Sequence, residues 1–574
     1  MAKNAVVEPE TVSVAYDLNE LPTAQHKAGL AGLLLQISSM KDRGKTVPEC
    51  SVSSGGTLAT IQFTKATTQS VFDDLYDGSI APEWFPQKKA KEHLLDERTV
   101  ERGEQKVRQF SYDVVRPSLH TIAHFAAGVS GTALVKLWQD MLWGVPRGVN
   151  TNRIPFEVVA GWNRRLPKDQ RRVAKAPSAK GEEIWKALCN FQANTSKTFP
   201  IKGDLLLGSQ EHNAELIAFD SREEQSILLH FWHLASLVFV PQSLKFKLRQ
   251  GRLQVQRKND GFAIAIPDVA DLNGYVKRFR TMLQRWAGDP VPQFGRPPSH
   301  IVEIAFEGAI SLADREHQAS IGGLTASSSE LRRSMAGVDF LHFKTSKNGA
   351  RLVGTGKLPM SDRFLLRCRR DLGDYSASAN RMNPLFRRGV LRALLDDSPW
   401  FVPFGKLFAE YPAELFVPSE RSPRHWWFWA DARRKLSQET SKMRDSADDP
   451  PDDNARLATA VNRFVRKYLD DRLAKENPSW DFAQFRKNRK TPKEAAEARQ
   501  KLAERLFLEF RSRSDQAFAA HFSGTFFRVP QYVGRDFEYV AKQLIEYTDN
   551  VKTLALMALS SNSWSPASKK ENAE

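Results

Sequence analysis

Residues 444–454 read Arg444-Asp-Ser-Ala-Asp-Asp-Pro-Pro-Asp-Asp-Asn454, and nothing in that run can join a packed core. The paired prolines block helix and ladder hydrogen bonding, and five aspartates repel one another and stay in water. The stretch reads as a linker. N-terminal to it, apolar residues occur both in alternation and in runs. C-terminal to it, every periodic segment has helical spacing. The expected fold class is α+β: a large mixed N-terminal body followed by an all-α C-terminal helical bundle. The boundaries expected are 1–180 for an N-terminal α/β lobe with a basic loop, 181–443 for an α+β body with hairpins, 444–454 for the acidic, Pro-containing linker, and 455–574 for the bundle.

A chain of 574 residues exceeds what one hydrophobic core usually covers, and 41% hydrophobic residues suffice for globular cores. Lys and Arg number 84 against 67 Asp and Glu, a net charge of +17. That excess favours a polyanionic partner, phosphate backbone first and an anionic membrane surface second. Cys50, Cys189 and Cys368 are far apart and form no CxxC pair, which excludes a disulfide framework and suits a reducing cytoplasm. The first ten residues carry no apolar signal region. The longest apolar run, Ile227 to Val240, is 14 residues and holds His230 and His233, too short and too polar to span a bilayer.

Toward the N-terminus, Val12 to Leu18 alternates as a strand. A helix capped by Thr23 follows, with Gly29 and Gly32 placed to admit a close neighbour. Thr57 to Phe63 predicts a second strand and Gln69 to Tyr76 a short helix. Pro86 to Arg116 is heavily charged with little periodicity, which predicts a mobile insertion or an exposed helix. After a firm amphipathic helix over Ala133 to Trp143 comes a stretch rich in Arg, Lys, Asn, Gly and Pro. It includes Asn150, Asn152, Arg153, Asn163, Arg164 and Arg165. A basic segment without periodicity, carrying amides and an aromatic, suits contact with phosphates and splayed bases, and equally a solvated loop.

Ile227 to Val240 predicts a buried helix whose two histidines are hydrogen-bonded core residues, since no third ligand has suitable spacing. Strand-like runs then recur at Ser243–Leu248, Arg252–Gln256, Phe262–Ile266, Ile301–Phe306, Val338–Phe343 and Ala350–Val353. The last two bracket a tip of Lys344, Thr345, Ser346, Lys347, Asn348 and Gly349, with Arg351 just beyond. Lysine and asparagine can read base edges while the hydroxyls anchor on phosphate; an ordinary Asn-Gly turn fits the same residues. The run His425-Trp-Trp-Phe-Trp429 predicts core or a subunit contact. Beyond the linker, Ala455 to the end holds 22 Lys and Arg against 15 Asp and Glu. Arg486, Lys487, Arg489 and Lys490 form a patch that could track a single strand or be a solvated helix face.

Catalytic signatures are absent. There is no GxxxxGK[ST] loop, no HExxH and no GxSxG, so no catalytic, metal or cofactor residue is assigned. Two other classes stay open: a metal-dependent DNA-processing nuclease built on dispersed carboxylates, and a structural interaction protein whose basic surface meets acidic protein.

Tyr16-Asp-Leu-Asn-Glu-Leu-Pro-Thr-Ala-Gln-His-Lys-Ala-Gly-Leu-Ala-Gly-Leu-Leu-Leu35, Leu137-Trp-Gln-Asp-Met-Leu-Trp143, and Leu228-Leu-His-Phe-Trp232 through Val238-Phe-Val-Pro241 resemble the Myxan-type large subunit of type I CRISPR Cascade complexes, subtype I-B. The resemblance implies a non-enzymatic subunit of a cytoplasmic antiviral-defense complex. It would bind near the guide RNA 5′ handle, read the protospacer-adjacent motif in duplex DNA and help to open the duplex. Its bundle would lie along the displaced strand of the R-loop. The partners implied are guide RNA, target double-stranded DNA, the backbone, cap and small subunits, and a helicase-nuclease recruited on target binding, with no membrane. Met443 is a candidate internal start for a separate small subunit.

Overall fold

The computed structural model describes residues 9–88, 94–102, 105–126, 129–144, 149–195, 198–200, 206–207, 220–287, 301–321, 334–346, 349–372, 382–419, 421–423, 426–445, 452–488, 491–527 and 536–563. Packing divides the chain into two compact units, 1–242 with 259–367, and 243–258 with 368–574.

The first unit begins with β1 (Val12–Asp17), α1 (Ala24–Asp42), β2 (Glu49–Val52), β3 (Leu58–Phe63) and α2 (Lys65–Leu75). The strands pair antiparallel in the order β1-β3-β2. Thr23 caps α1 as the sequence predicts, its Oγ1 accepting from the His26 amide at 3.3 Å. Leu30, Leu33, Leu35 and Met40 of α1 are fully buried and so are Ala28, Gly29 and Gly32, so this helix is enclosed on all sides rather than on one face. Gly29 and Gly32 are what permit it. A Cβ built on Gly29 would lie 2.2 Å from the Leu228 carbonyl oxygen, and one on Gly32 would lie 2.1 Å from that of Phe231. Backbone cannot swing aside as a side chain can. Gly32→Ala is therefore expected to destabilise the protein by about 2–3 kcal/mol in urea or thermal unfolding, whereas Gly55→Ala, with nothing within 4 Å of its Cβ, should shift stability by no more than about 0.5 kcal/mol.

Next come β4 (Gly78–Phe85), β5 (Leu94–Arg102) and β6 (Gln105–Pro117), an antiparallel sheet in the order β4-β6-β5. This corrects the expectation of an insertion or helix over Pro86 to Arg116. Charged side chains on both faces hide the strand period, because they pair across strands instead of facing a core. Arg116 meets Glu83 at 3.0 Å, and Arg108 meets Glu97. Helices α3 (His120–Phe125), α4 (Val129–Gly144), α5 (Val149–Val159) and α6 (Ala179–Ala193) follow, then the short strands β7 (Thr198–Pro200) and β8 (Asp220–Arg222).

The expected helix over Ile227 to Val240 is also corrected. Helix α7 (Glu223–Leu228) stops early, Trp232–Ala235 makes one 3-10 turn, and β9 (Leu237–Arg249) begins at once. Leu237, Val238 and Phe239 are fully buried, and a short apolar run of such residues is as good a buried strand as a helix. Both histidines are in the core: Tyr76 and His230 share a hydrogen bond at 2.7 Å, and the His233 carbonyl accepts from the Trp138 indole at 2.7 Å.

A hairpin joins β9 to β10 (Arg252–Asn259), its turn formed by Gln250 and Gly251 at φ +50° and +74°, the left-handed pair that matches strand twist. Then come β11 (Phe262–Val269), α8 (Leu272–Ala287), β12 (Ile301–Val302), α9 (Ala305–Ile321), β13 (Met335–Ser346), β14 (Gly349–Pro359) and α10 (Asp362–Leu372). The strand expected over Ile301–Phe306 is only the two-residue β12, parallel to β9, because α9 has begun by Ala305. Within the first unit the main sheet runs β9-β11-β13-β14.

The second unit holds α11 (Pro384–Leu395), α12 (Val402–Glu410), α13 (Phe428–Asp445), α14 (Asp453–Glu476), α15 (Phe482–Lys487), α16 (Lys493–Ser512), α17 (Asp515–Phe526), α18 (Phe537–Glu546) and α19 (Thr548–Asn562). From residue 382 to residue 563 the described chain has no strand; the sequence predicts this only from residue 455, and the helical region begins earlier. The core is aromatic: Phe428 meets Phe416 at 4.9 Å and Phe386 at 5.5 Å, and Phe408 meets Phe507 at 5.6 Å. Trp426, Phe428 and Trp429 are buried and Trp427 is exposed, since consecutive residues cannot share one face. The apolar helix α19 is enclosed, and its last carbonyls are met by guanidinium groups. Arg433 donates to Ser561 O at 3.0 Å and Arg499 to Asn562 O at 2.8 Å. Because Phe408 and Phe416 lie before residue 444 and Phe507 after it, helices on both sides of the acidic run share one core. Arg444 and Asp445 end α13, and Asp452 caps α14 by accepting from the Asn454 amide at 3.0 Å. Division by packing falls at 242/243, 258/259 and 367/368.

Candidate nucleic-acid interface

The basic stretch after α4 is not the continuous loop expected. Asn150, Asn152 and Arg153 belong to α5, which contains Pro155. Proline and two asparagines argue against helix, yet Phe156 and Val159 bury themselves at 3% and 7% exposure and hold it. The chain then turns at Gly161 (φ +74°), where a Cβ would lie 2.4 Å from Val173 O. Trp162 and Arg172 form a bridge, with Asn163 N donating to Arg171 O at 2.9 Å. Asn163 is thereby structural, its Oδ1 accepting from the Arg165 amide at 3.0 Å. Arg164 forks onto Glu157, Arg172 binds Asp113 at 2.7 Å, and Lys168 donates to Leu94 O at 2.7 Å. The Arg165 side chain is exposed and has no partner among the described residues. The loop thus lies on the β4-β6-β5 sheet, where Arg98 stacks over Trp84 at 4.1 Å. Sequence reasoning missed that cation–aromatic pair; its strands lacked a readable period.

The tip between β13 and β14 stands on the other sheet. Lys344 and Arg351 are directly opposed across the hairpin, an arrangement that like charges disfavour. Asp260 relieves one of them, at 3.1 Å from Lys344 Nζ, and Gly261 brings that turn close: a Cβ there would meet Phe343 O at 1.8 Å. Arg351 is exposed without a partner among the described residues. Thr345 and Ser346 complete β13, while Lys347 and Asn348 lie outside the described residues.

In the second unit Arg486 and Lys487 end α15, and Arg489 and Lys490 lie outside the described residues. Tertiary packing adds cations that a linear patch does not show. Asp470 of α14 binds Arg486 at 2.6 Å and also Arg499 of α16. Arg466, one turn back, has no hydrogen bond among the described residues. Burial, then the fields of Arg486 and Arg499, hold its pKa below the usual guanidinium value. Arg463 beside it pairs with Asp536 at 2.7 Å. One carboxylate therefore serves three guanidinium groups. The spacing Arg463, Arg466, Lys467, Asp470 marks a single helix face and is the signal by which the sequence could have shown this cluster.

Among the described residues no three His, Cys, Asp or Glu side chains are grouped to hold a metal ion, and no helix is long and apolar enough to cross a membrane. A mixed sheet-and-helix unit joined to one that is helical apart from the 243–258 hairpin, on a chain with 84 Lys and Arg against 67 Asp and Glu, defines a large cationic protein. The family model described as the type I-B CRISPR Cas8b N-terminal domain matches residues 50–320, and the one for the Cas8b C-terminal domain matches residues 335–562. The chain belongs to the Cas8b family, the large subunit of type I-B CRISPR effector complexes. This is the family that residues 16–35 resemble, although that stretch precedes the matched range. No curated protein matches the chain.

Proposed function

We propose that this large subunit reads the protospacer-adjacent motif in duplex DNA, helps to open the duplex, holds the displaced strand and supports recruitment of the helicase-nuclease. Arg165, Lys344 and Arg351 contact the motif duplex or the guide 5′ handle. Asn150, Asn152, Arg153, Asn163, Arg164, Thr345, Ser346, Lys347 and Asn348 share those two segments. Arg463, Arg466, Arg486 and Lys487, with Arg489 and Lys490, neutralise phosphates of the displaced strand. Guide RNA, target DNA and the backbone, cap and small subunits are the partners. The observation that carries this reading is the trio of Arg466, Arg486 and Arg499 around the single carboxylate of Asp470. Such crowding is unfavourable alone and is relieved by phosphate.

Single-strand binding is expected to weaken steeply with salt. Replacing Arg463, Arg466, Arg486 and Lys487 together by alanine should lower the slope of log K against log salt by about 3, at roughly 0.7 per lost phosphate contact. Arg165→Ala with Arg351→Ala should instead abolish the preference for duplexes carrying the motif and leave single-strand binding intact. An unchanged slope in the fourfold variant would remove the displaced-strand assignment.

A further inference from the structure

Within the first unit, a cavity of about 510 Å3 opens between α1, α8 and the edge strand β2. Its floor is apolar, formed by Leu34, Ile37, Leu272 and Val276. Its rim carries Lys41, Lys277 and Arg280, and no carboxylate among the described residues lines it. Arg280 is fixed, with Nη1 donating to Ser38 Oγ at 2.9 Å, Nη2 meeting Asp42 at 3.0 Å, and its guanidinium over the Phe125 ring at 4.6 Å. Lys41 and Lys277 are exposed and make no ion pair among the described residues. Neutral hydrogen-bonding groups, Thr281 and Gln284 of α8, complete the wall.

We infer that this cavity binds one nucleotide, its phosphate on Lys41, Lys277 and Arg280 and its base over the apolar floor. The size lies within the range of small-ligand sites, about 300–1,000 Å3. An apolar floor alone would suit a hydrocarbon chain, but such a chain would bring no counter-charge to Lys41 and Lys277, which make no ion pair among the described residues. A purely anionic ion would leave the floor unused. A base with a phosphate satisfies both halves. The shared chemistry of a free nucleotide and of a 5′-phosphorylated strand end fits equally, so the test separates them.

Cys50 lines the cavity and is exposed, which provides a reporter. The full chain carrying Cys189→Ser is alkylated with iodoacetamide, alone and with 5′-AMP, adenosine, or a 5′-phosphorylated trinucleotide, and Cys50 modification is followed by peptide mass spectrometry. Slowing of at least threefold by 5′-AMP or by the trinucleotide, but not by adenosine, is expected. Protection by 5′-AMP assigns a free nucleotide; protection by the trinucleotide alone assigns a strand end. Lys41→Glu with Lys277→Glu should abolish the protection with the melting curve unchanged, since both side chains are in solvent. Protection by neither phosphorylated ligand, or protection by adenosine equal to that by 5′-AMP, overturns the assignment. The inference is independent of the displaced-strand reading: salt-dependent single-strand binding can persist in a protein whose Cys50 is never shielded, and the reverse.

Discussion

Asp470→Ala is expected to destabilise the helical unit by about 3–5 kcal/mol, the range for removing one partner of a buried ion pair. The side chains of Arg499 and Asp470 are 5% and 13% exposed, so alanine leaves a buried guanidinium facing Arg466 and Arg486 with no counter-charge. For a unit of this size the thermal midpoint should fall by roughly 10 °C. The loss has a second signature. Ligands that bind the native state stabilise it by mass action, so a short oligonucleotide or free phosphate should raise the melting temperature of the variant more than that of the parent. Arg499→Met added to Asp470→Ala should restore part of the stability, because the unpaired charge is gone; simple additivity would show that the two residues are not coupled. A variant that melts within 2 °C of the parent would contradict the account of the cluster given above.

Acidification is expected to unfold the first unit well above the range in which carboxylates titrate. His26 and His233 are buried at 0% and 6% exposure, and burial lowers their pKa values to about 4 and about 3. Unfolded, each titrates near 6.5. Below that pH the unfolded chain binds up to two protons more than the native one, so stability rises with pH and is lost as pH falls. The loss for the pair is on the order of 5 kcal/mol between pH 6.5 and 4.5. Asp74, Asp77 and Asp268 have lowered values owed to Arg43, His120 and Lys27 respectively, against the opposing effect of burial. They withdraw their stabilisation only as pH falls below about 4. Glu224, raised by burial, acts in the opposite sense. Urea midpoints from pH 7.5 to 4.5 would show the slope, and His233→Gln should halve it. A flat profile above pH 5 would mean that neither ring stays neutral in the native state.

The first prediction rests on a residue whose importance is invisible along the chain, whereas His233 already reads as a core residue from the apolar run around it. Asp470 is one carboxylate among many in a helix, and it becomes special only because α15 and α16 bring Arg486 and Arg499 to it. Arg165 and Arg351 look like other arginines of their segments until the ion pairs of Arg164, Arg172 and Lys344 are known. The cavity beside Cys50 draws on residues from 34 to 284, a separation no local pattern conveys.

What the sequence determined alone follows from local physics. Composition set the cationic character and spacing set the helices past residue 455. The Thr23 cap and the glycines of α1 were readable because a cap and a close approach each demand a particular residue type. Only tertiary structure decided the rest. The charged sheet over residues 78–117 is held by cross-strand pairs, the run after Leu228 becomes strand because β11 is there to bond it, and the acidic residues 444–454 join helices of a single aromatic core. In each case the deciding partner is distant in sequence, and the free energy that selects the conformation belongs to the contact and not to the segment.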